Sequence, residues 1–294
     1  MQHALTVDVE DYFHVAAFAK NIDTNDWDQW PSRVESSTHA LLDLFAEKQV
    51  KATFFVLGWV AQRYPELVRA IDAQGHEVAS HGMSHQLIYS QSPAVFKEET
   101  FAAKKLLEDI TGERIKGYRA ASYSITPQSI WALDVLLEAG FEYDSSIFPV
   151  KHDRYGIPGA PLHIHNAVVN GGAPLTEFPL TSANMFNQRV PAAGGGYFRL
   201  YPYWLTQYLL KKAAKELDQP FVFYLHPWEV DTQQPRVEGA SLLSRFRHYN
   251  NLEKCLPRLN TLLSQFSFTT MAEVIQQHSS QKTLKTYDYA QFDV

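Results

Sequence analysis

The sequence predicts an α/β protein built on a parallel sheet or barrel. Short apolar segments alternate with amphipathic helical segments along most of the 294 residues, and repeated strand–helix–strand units have this pattern. Ionisable side chains stand at the carboxyl ends of several apolar segments, where the loops of an α/β barrel form a binding site. No linker or internal repeat divides the chain, so we expect a single domain over residues 1–294.

Apolar periodicity, with glycine or proline at the boundaries, predicts the individual elements. About eight strands are expected, at residues 4–9, 51–57, 76–80, 115–120, 141–145, 176–179, 220–226 and 266–270. Helices are expected at residues 34–48, 65–75, 93–111, 127–139 and 202–217. The stretch 148–174 is rich in Pro, Gly and His and is expected to be irregular, and the polar tail after Ser279 is expected to fray.

Composition and charge exclude several classes of protein. With 45% hydrophobic and 20% charged residues, the chain does not have the composition of a disordered or fibrous protein. The net charge of −6 argues against a broad basic face for nucleic acid. The single cysteine, Cys255, excludes an internal disulfide and a cysteine-based zinc site. No apolar run approaches the roughly 20 residues of a membrane span, and residues 1–8 lack a secretory signal pattern, so we expect a cytoplasmic protein.

Three carboxylates stand at the end of the first predicted strand, in Asp8-Val9-Glu10-Asp11. Strand alternation puts Asp8 and Glu10 on one side, where one carboxylate can bind a metal while the other acts as a general base. The alternative is a solvated acidic turn with Asp11 as a cap. That alternative is weaker for Asp8, because a carboxylate inside an apolar strand is costly without a partner.

Two histidines, His81 and His85, follow the third predicted strand and lie four residues apart. On a helical turn this spacing puts both imidazoles on one face, where they can bind one metal ion. Two histidines and a carboxylate with open coordination positions suit zinc or another divalent transition metal. Spacing alone leaves open the alternative that both rings bond to loop backbone.

Arg119 and His226 each end a further predicted strand. Arg119 is a candidate partner for the Asp8 carboxylate, and His226 is positioned to act as a general acid near neutral pH. The plainer alternatives are a surface arginine and a core histidine bonded to backbone. Because four separate chain segments bring ionisable groups to the same predicted rim, the functional interpretation is favoured.

The order of these motifs resembles the NodB-homology polysaccharide deacetylases, carbohydrate esterase family 4. The resemblance is fuller with the branch found in exosortase-linked exopolysaccharide gene clusters. It rests on Thr6–Phe13, Gly117–Ala120, Tyr143–Pro149 and Tyr224–Glu229, together with Gly195–Arg199 and Arg245–Tyr249. It implies a distorted (β/α) barrel of about seven parallel strands, with the motifs in residues 6–227 and a C-terminal extension, 228–294, packed on it.

The resemblance implies roles for the residues already singled out: Asp8 as base, Arg119 as the residue that orients the base, His226 as general acid, His81 and His85 as metal ligands, and Glu10 or Asp11 as the metal carboxylate. Zinc is the metal expected first, with cobalt, nickel or iron as alternatives. The expected activity is metal-dependent removal of N-acetyl groups from an exopolysaccharide or its N-acetylhexosamine units. The alternatives are a metal-free amidohydrolase for a small cyclic amide or ureide, and a glycan-binding protein without catalysis.

Three further residues are expected to contact the glycan. Tyr123 follows Arg119 in a motif where Ala121 stands in place of the family's usual proline. Trp228 follows His226 and can offer an aromatic face to a sugar. Arg247 belongs to a basic cluster whose forked hydrogen bonds suit a hydroxylated or anionic glycan; the alternative is a solvated basic loop.

Overall fold

The computed structural model describes residues 1–152, 154–185 and 188–292 of the chain. Within these ranges the strands are β1 (His3–Val9), β2 (Thr53–Val56), β3 (Glu77–Ser80), β4 (Gly117–Tyr118), β5 (Tyr143–Asp144), β6 (His165–Val168), β7 (Leu175–Glu177), β8 (Ser182–Met185), β9 (Gln188–Pro191), β10 (Val222–Leu225), β11 (Phe268–Thr269) and β12 (Thr286–Asp288). The α-helices are α1 (Val34–Lys48), α2 (Gly58–Arg63), α3 (Pro65–Ala73), α4 (Pro93–Thr111), α5 (Ala132–Glu138), α6 (Gly195–Leu200), α7 (Tyr203–Leu217), α8 (Leu242–Tyr249), α9 (Leu252–Gln265) and α10 (Met271–Gln281).

The main sheet runs in the order β10-β1-β2-β3-β4-β5-β7-β6-β12, with β11 paired to β1. From β10 to β7 neighbouring strands are parallel, whereas β6 is antiparallel to β7. Helices connect β1 to β2, β2 to β3, β3 to β4 and β4 to β5, as parallel neighbours usually require. The predicted class, an α/β barrel with about seven parallel strands, is confirmed.

The barrel is distorted where β7 and β10 face each other. In the described ranges no strand pair joins them, and extended chain on either side of the β8–β9 hairpin bridges the gap. The Ala192 N–H donates to the Thr181 carbonyl at 3.0 Å, and the Tyr224 N–H donates to the Ala193 carbonyl at 2.7 Å. Backbone hydrogen bonds therefore continue around the barrel without a regular strand at this point.

Strand register brings the ends of six strands to one rim. Val9 pairs with Val56, Val56 with Ser80, Ser80 with Tyr118, and Tyr118 with Asp144; on the other side of β1, Val7 pairs with Leu225. Asp8 and Glu10 directly follow Val7 and Val9 of β1. The residues that directly follow the other paired positions include His81, Arg119, Ser145 and His226. Parallel pairing thus converts sequence positions after strands into neighbours in space.

Helix boundaries agree with their sequence signals in the clearest cases. α1 and α4 have the predicted bounds, 34–48 and 93–111. The Ser92 hydroxyl accepts from the Val95 N–H at the start of α4, Pro93 occupies its first turn, and Gly112 ends it with a φ of 75°. A serine cap, an early proline and a left-handed glycine are the usual helix boundaries.

Two segments predicted to lack regular structure form strands. The stretch 148–174, apart from residue 153, which lies outside the described residues, contains β6, and the tail after Ser279 contains β12. The two pair in parallel, Asn166 with Thr286 and Val168 with Asp288. Both predictions therefore fail at these strands, although the described part of 148–174 contains no strand or helix other than β6. Each strand is short, and its partner lies far along the chain, so local periodicity does not reveal it.

The apolar pattern also fails to predict α2, α6, α8, α9 and the β8–β9 hairpin. The predicted helix 127–139 is a 3-10 turn, Pro127–Ser129, followed by α5.

In the part of the chain that the structure describes, no helix has the length and apolar character needed to cross a bilayer.

A buried pair of carboxyl groups joins β5 to β7. Asp144 and Glu177 are register partners, both are fully buried, and each carboxyl group affects the pKa of the other. Burial raises the pKa of Asp144 to about 6 and raises that of Glu177 well above its ordinary value, to which the adjacent Asp144 contributes. Two carboxyl groups in contact favour a shared proton, because both cannot readily ionise together.

We expect Glu177→Gln to stabilise the fold more near pH 8 than near pH 5. A raised pKa in the folded state gives stability that is present below the unfolded-state pKa and is lost as the pH rises through the folded-state pKa. The amide keeps an acceptor for the Ile147 N–H, which lies 3.1 Å from Glu177 Oε1, and has no proton to lose. Thermal unfolding of both proteins at the two pH values measures the effect. A Tm difference that does not grow with pH contradicts the shared proton.

Candidate active site

The buried ion pair between Asp8 and Arg119 lies at the centre of the rim. Arg119 Nη1 donates to Asp8 Oδ1 at 2.6 Å and to the Thr6 hydroxyl at 2.8 Å. Its Nε and Nη2 atoms donate to the Ser145 carbonyl and hydroxyl at 3.1 and 3.0 Å. The guanidinium lies over the Phe55 ring, 4.1 Å from its centroid. These contacts hold the Asp8 carboxylate in one orientation, with Oδ2 towards the rest of the rim.

His226 is the second ionisable group on this rim. Its Nδ1 lies 2.8 Å from Glu229 Oε1, and because a carboxylate only accepts, Nδ1 carries a proton. Its Nε2 lies 4.0 Å from Asp8 Oδ2 and 3.7 Å from Glu10 Oε1. Burial lowers the pKa of His226, but Glu229, Glu10 and Asp8 together raise it to about 9. A protonated imidazole at neutral pH is the state that a general acid requires.

Glu229 is held in turn by the buried Arg199. Arg199 Nε donates to Glu229 Oε2 at 2.6 Å, and Nη1 donates to the carbonyls of His248 and Asn250 at 2.7 and 2.8 Å. Burial raises the pKa of Glu229, but Arg199 and His226 lower it to about 2. Glu229 is therefore charged at neutral pH and fixes the His226 ring through Nδ1.

Glu10, His81 and His85 form a candidate metal site. Each of the three offers one potential ligand atom, and these atoms all lie within 4.8 Å of one another. Among the residues described, no other group of three His, Cys, Asp or Glu side chains does so. His85 Nε2 lies 2.5 Å from Glu10 Oε2. His81 Nδ1 lies 2.8 Å from the Arg119 carbonyl, which can only accept, so Nδ1 carries the proton and Nε2 keeps its lone pair for a metal.

The electrostatics of this group suit a cation. Burial lowers the pKa of His81 to about 4, so its ring is neutral and can ligate. Burial raises the pKa of Glu10, but the neighbouring histidines, His85 first, lower it well below its ordinary value. Glu10 Oε2 is buried against the ring nitrogen of His85, which is itself a candidate ligand. Two imidazoles and a charged carboxylate are a donor set that zinc accepts.

The turn between His81 and His85 is not helical, contrary to the expectation from their spacing. Gly82 has a φ of 76° and His85 a φ of 55°, and the Gly82 carbonyl accepts from the Gly58 N–H at 2.8 Å. The two rings still approach, with centroids 5.4 Å apart. A left-handed backbone turn, rather than one face of a helix, brings them together.

Asp11 lies outside the candidate metal site. Its Oδ2 accepts from the Ser32 hydroxyl at 2.7 Å and from the N–H groups of Arg33 and Val34 at 2.7 and 3.0 Å. Its Oδ1 accepts from the Tyr12 N–H at 2.9 Å. These bonds satisfy the free N–H groups at the start of α1, so Asp11 serves as a cap for that helix.

Trp228 lies against the site but has both faces covered. Its ring stacks on His226 and on His248, with centroids 5.0 and 4.2 Å apart. Its Nε1–H donates to Glu10 Oε1 at 3.2 Å. Because its faces are covered, Trp228 orients Glu10 instead of offering an open surface to a sugar.

Tyr123 and Arg247 lie in different surroundings. Tyr123 is buried in a left-handed backbone conformation, with its ring edge against Tyr224 at 5.3 Å between centroids. Burial, with Tyr224 and Asp8 nearby, raises the pKa of the Tyr123 phenol. Arg247 is exposed on α8, and its carbonyl accepts from Arg199 Nη2 at 3.2 Å.

Sequence reasoning assigned no role to Glu229, Arg199 or His14. The spacing of His226 and Glu229, with Pro227 between them, is a capping-box pattern that was available in the sequence. His14 Nδ1 accepts from the Asp11 N–H at 2.8 Å, so Nε2 carries a proton. No described residue partners that buried Nε2, and the ring lies 6.4 Å from that of His85. No local pattern in the sequence indicates that the His14 ring lies near that of His85.

Two family profiles match adjacent parts of the chain. Residues 25–143 match the family described as "Polysaccharide deacetylase", and residues 145–276 match one described as "Domain of unknown function (DUF3473)". The first range contains His81, His85 and Arg119, and the second contains His226 and Glu229.

Relatives with named activities are similar to this chain. It is 34% identical over 168 residues to a chitooligosaccharide deacetylase of Bradyrhizobium, covering 53% of this chain and 74% of the relative. It is 31% identical over 172 residues to a chitooligosaccharide deacetylase of Sinorhizobium fredii, covering 53% and 75%.

Solved structures share the fold. A Mycobacterium smegmatis protein assigned to the polysaccharide deacetylases has a TM-score of 0.63 at 18% identity, covering 97% of this chain and 94% of that one. Puue allantoinase has a TM-score of 0.56 at 18% identity, covering 94% and 89%. At these identities the likeness concerns the barrel alone.

We expect His81→Ala, His85→Ala and Glu10→Gln to lose bound metal. Removing a residue that only hydrogen-bonds to a metal ligand lowers metal affinity about 10–100-fold. Removing a ligand itself should therefore lower the affinity at least as much. Mass-spectrometric metal analysis of protein loaded with zinc and freed of excess ion measures the occupancy. The matched control is Asp11→Asn, which should keep the metal and lose helix stability. Full occupancy in both histidine variants contradicts the site.

Proposed function

Since the chain belongs to the polysaccharide deacetylase family and is a hydrolase of amide bonds, we propose that it removes N-acetyl groups from a glycan with the help of a divalent metal. Zinc is the metal that we propose first. The proposed substrate is an exopolysaccharide or its N-acetylhexosamine units. The relatives named chitooligosaccharide deacetylases make N-acetylglucosamine oligomers the first probes.

One observation carries this proposal. A carboxylate oriented by a buried arginine, an imidazolium, and three potential metal ligands meet on the same rim of the barrel. Amide hydrolysis needs a base for water, a stabiliser for the developing oxyanion and an acid for the leaving nitrogen. Each requirement has a candidate here. We propose that residues 1–294 act as one catalytic domain.

In the proposed reaction, Asp8 and His226 handle the two proton transfers. Asp8 Oδ2 accepts the proton of the attacking water, while Arg119 keeps the carboxylate in place through Oδ1. His226 Nε2–H gives its proton to the amine as the carbon–nitrogen bond breaks. The 4.0 Å between Nε2 and Asp8 Oδ2 brings donor and acceptor close enough to serve one reacting centre.

Glu10, His81 and His85 are the residues that would hold the metal. When bound, the ion supplies Lewis-acid polarisation of the amide carbonyl and makes water more acidic. Trp228 supports Glu10 by donating to Oε1, and the Arg119 carbonyl supports His81 at Nδ1. Arg119 therefore contacts both halves of the proposed machinery, the base and one metal ligand.

Substrate contacts are proposed for Tyr123 and Arg247. Tyr123 lies close enough to Asp8 for that carboxylate to influence its phenol, so it is proposed to line the site near the base. Arg247, exposed on α8, is proposed to contact glycan units beyond the one that reacts. The metal-free and non-catalytic alternatives are less favoured, because the metal ligands, base and acid are all present and converge.

We expect Asp8→Asn to keep its metal and lose most of its turnover, about 100-fold or more, because an amide does not accept the proton of the water. Acetate release from N-acetylglucosamine oligomers and from N-acetylated polymer measures the activity, and metal analysis of the same samples measures occupancy. The control is Glu10→Gln, which should lose activity and metal together. Retained activity in Asp8→Asn would exclude Asp8 as the base.

We expect Glu229→Gln to move the basic limb of the pH–rate profile to lower pH, by about one unit. Glu229 raises the pKa of His226 by its hydrogen bond and its charge, and without that charge the acid form is lost at lower pH. The profile of kcat/KM for acetate release measures the shift, with metal content expected to stay unchanged. An unmoved basic limb means that His226 is not the acid that the profile reports.

A further inference from the structure

The outer end of α8 exposes three large apolar side chains. Leu242, Leu243 and Phe246 are 83%, 58% and 54% exposed, and positions i, i+1 and i+4 share one side of a helix. Single exposed apolar residues are ordinary on protein surfaces, but a contiguous group of this kind marks an interaction site. We call these residues, with Arg245 and Arg247, the α8 patch.

The α8 patch is basic although the whole chain is acidic. Arg245 and Arg247 are exposed beside the apolar residues, and no acidic residue occurs between Glu238 and Glu253. With a net charge of −6, the chain as a whole is repelled by anionic surfaces. A local group of basic residues is therefore needed for the α8 side of the protein to approach an anionic surface.

The inner end of α8 is attached to the active-site rim. His248 is buried and stacks on Trp228, which stacks on His226. Arg199 holds the last turn of the helix by donating to the His248 carbonyl while pairing with Glu229. A surface contacted by the α8 patch would therefore lie close to the proposed catalytic rim.

The chemistry of the patch favours a lipid surface over a sugar or a second copy of the chain. Leucine side chains offer a sugar no hydrogen bond, and the aromatic residues of the helix other than Phe246 are buried. An interface with a second copy of the chain would need to bury about 800 Å² on each partner, which three exposed side chains do not provide. Apolar side chains flanked by arginines match the acyl boundary and headgroups of an anionic bilayer.

We propose that α8 docks this protein on anionic lipid bilayers, inserting Leu242, Leu243 and Phe246 at the acyl boundary while Arg245 contacts the headgroups. The docking does not depend on the proposed function. Together with it, however, docking implies that the acetylated glycan is presented at a membrane surface, as a lipid-linked glycan would be.

Co-sedimentation of the full chain with lipid vesicles tests the docking. One vesicle set is phosphatidylcholine alone and the other is an equal mixture of phosphatidylcholine and phosphatidylglycerol. We expect binding to the anionic set, weakened by salt. The triple variant Leu242→Ser/Leu243→Ser/Phe246→Ser should bind at least about tenfold less tightly. Arg245→Gln should bind less tightly and depend less on salt.

The matched control is Val95→Ser/Phe101→Ser on α4, which also removes partly exposed apolar residues and should leave vesicle binding unchanged. Thermal unfolding and acetate release from a soluble oligomer should be unchanged in the triple variant, which separates docking from folding and catalysis. Equal binding to neutral and anionic vesicles, or equal loss in the control, overturns the proposal. So does a wild-type dimer that ignores vesicles and becomes monomeric in the triple variant.

Discussion

The Arg119 guanidinium is buried at the meeting point of four strands, and the rim is organised around it. It pairs with Asp8 after the apolar part of β1, bonds to the Thr6 hydroxyl, and donates twice to Ser145 beyond β5. Removing one partner from such a buried pair typically costs about 3–5 kcal/mol, because the other charge is left unpaired. That cost is comparable to the whole stability of many domains, so the carboxylate and the guanidinium constrain each other and the strands that carry them.

Three acidic residues within four positions acquire three different roles because each finds a different partner. Asp8 meets the arginine, Glu10 meets His85 and the Trp228 N–H, and Asp11 turns away to accept the N–H groups at the start of α1. The Asp11 carboxylate, with four protein donors, has little capacity left for a metal, whereas Glu10 Oε2 lies against the ring nitrogen of His85, which is itself a candidate ligand. Hydrogen-bond satisfaction thus separates a structural acid from a candidate ligand.

A second chain of buried charges reaches the rim from the C-terminal part of the protein. Arg199 joins the last turn of α8 to Glu229, and Glu229 holds the His226 ring. The raised pKa of His226 therefore depends on residues that belong to helices packed outside the barrel. The same chain of contacts connects the exposed end of α8 with the proposed acid, so the proposed docking takes place beside the active site and not at a remote face.

The sequence by itself determined the α/β class, most of the parallel strands, and the placing of Asp8, His81, Arg119 and His226 at strand ends. These follow from local periodicity, and parallel pairing then brings strand ends to one rim. Only the tertiary structure brought Glu10, and not Asp11, beside His81 and His85, gave Glu229 and Arg199 their partners, and paired β6 with β12. Those outcomes depend on groups far apart along the chain, such as Glu10 with Trp228 and Asn166 with Thr286, and no local pattern records which distant group a side chain will meet.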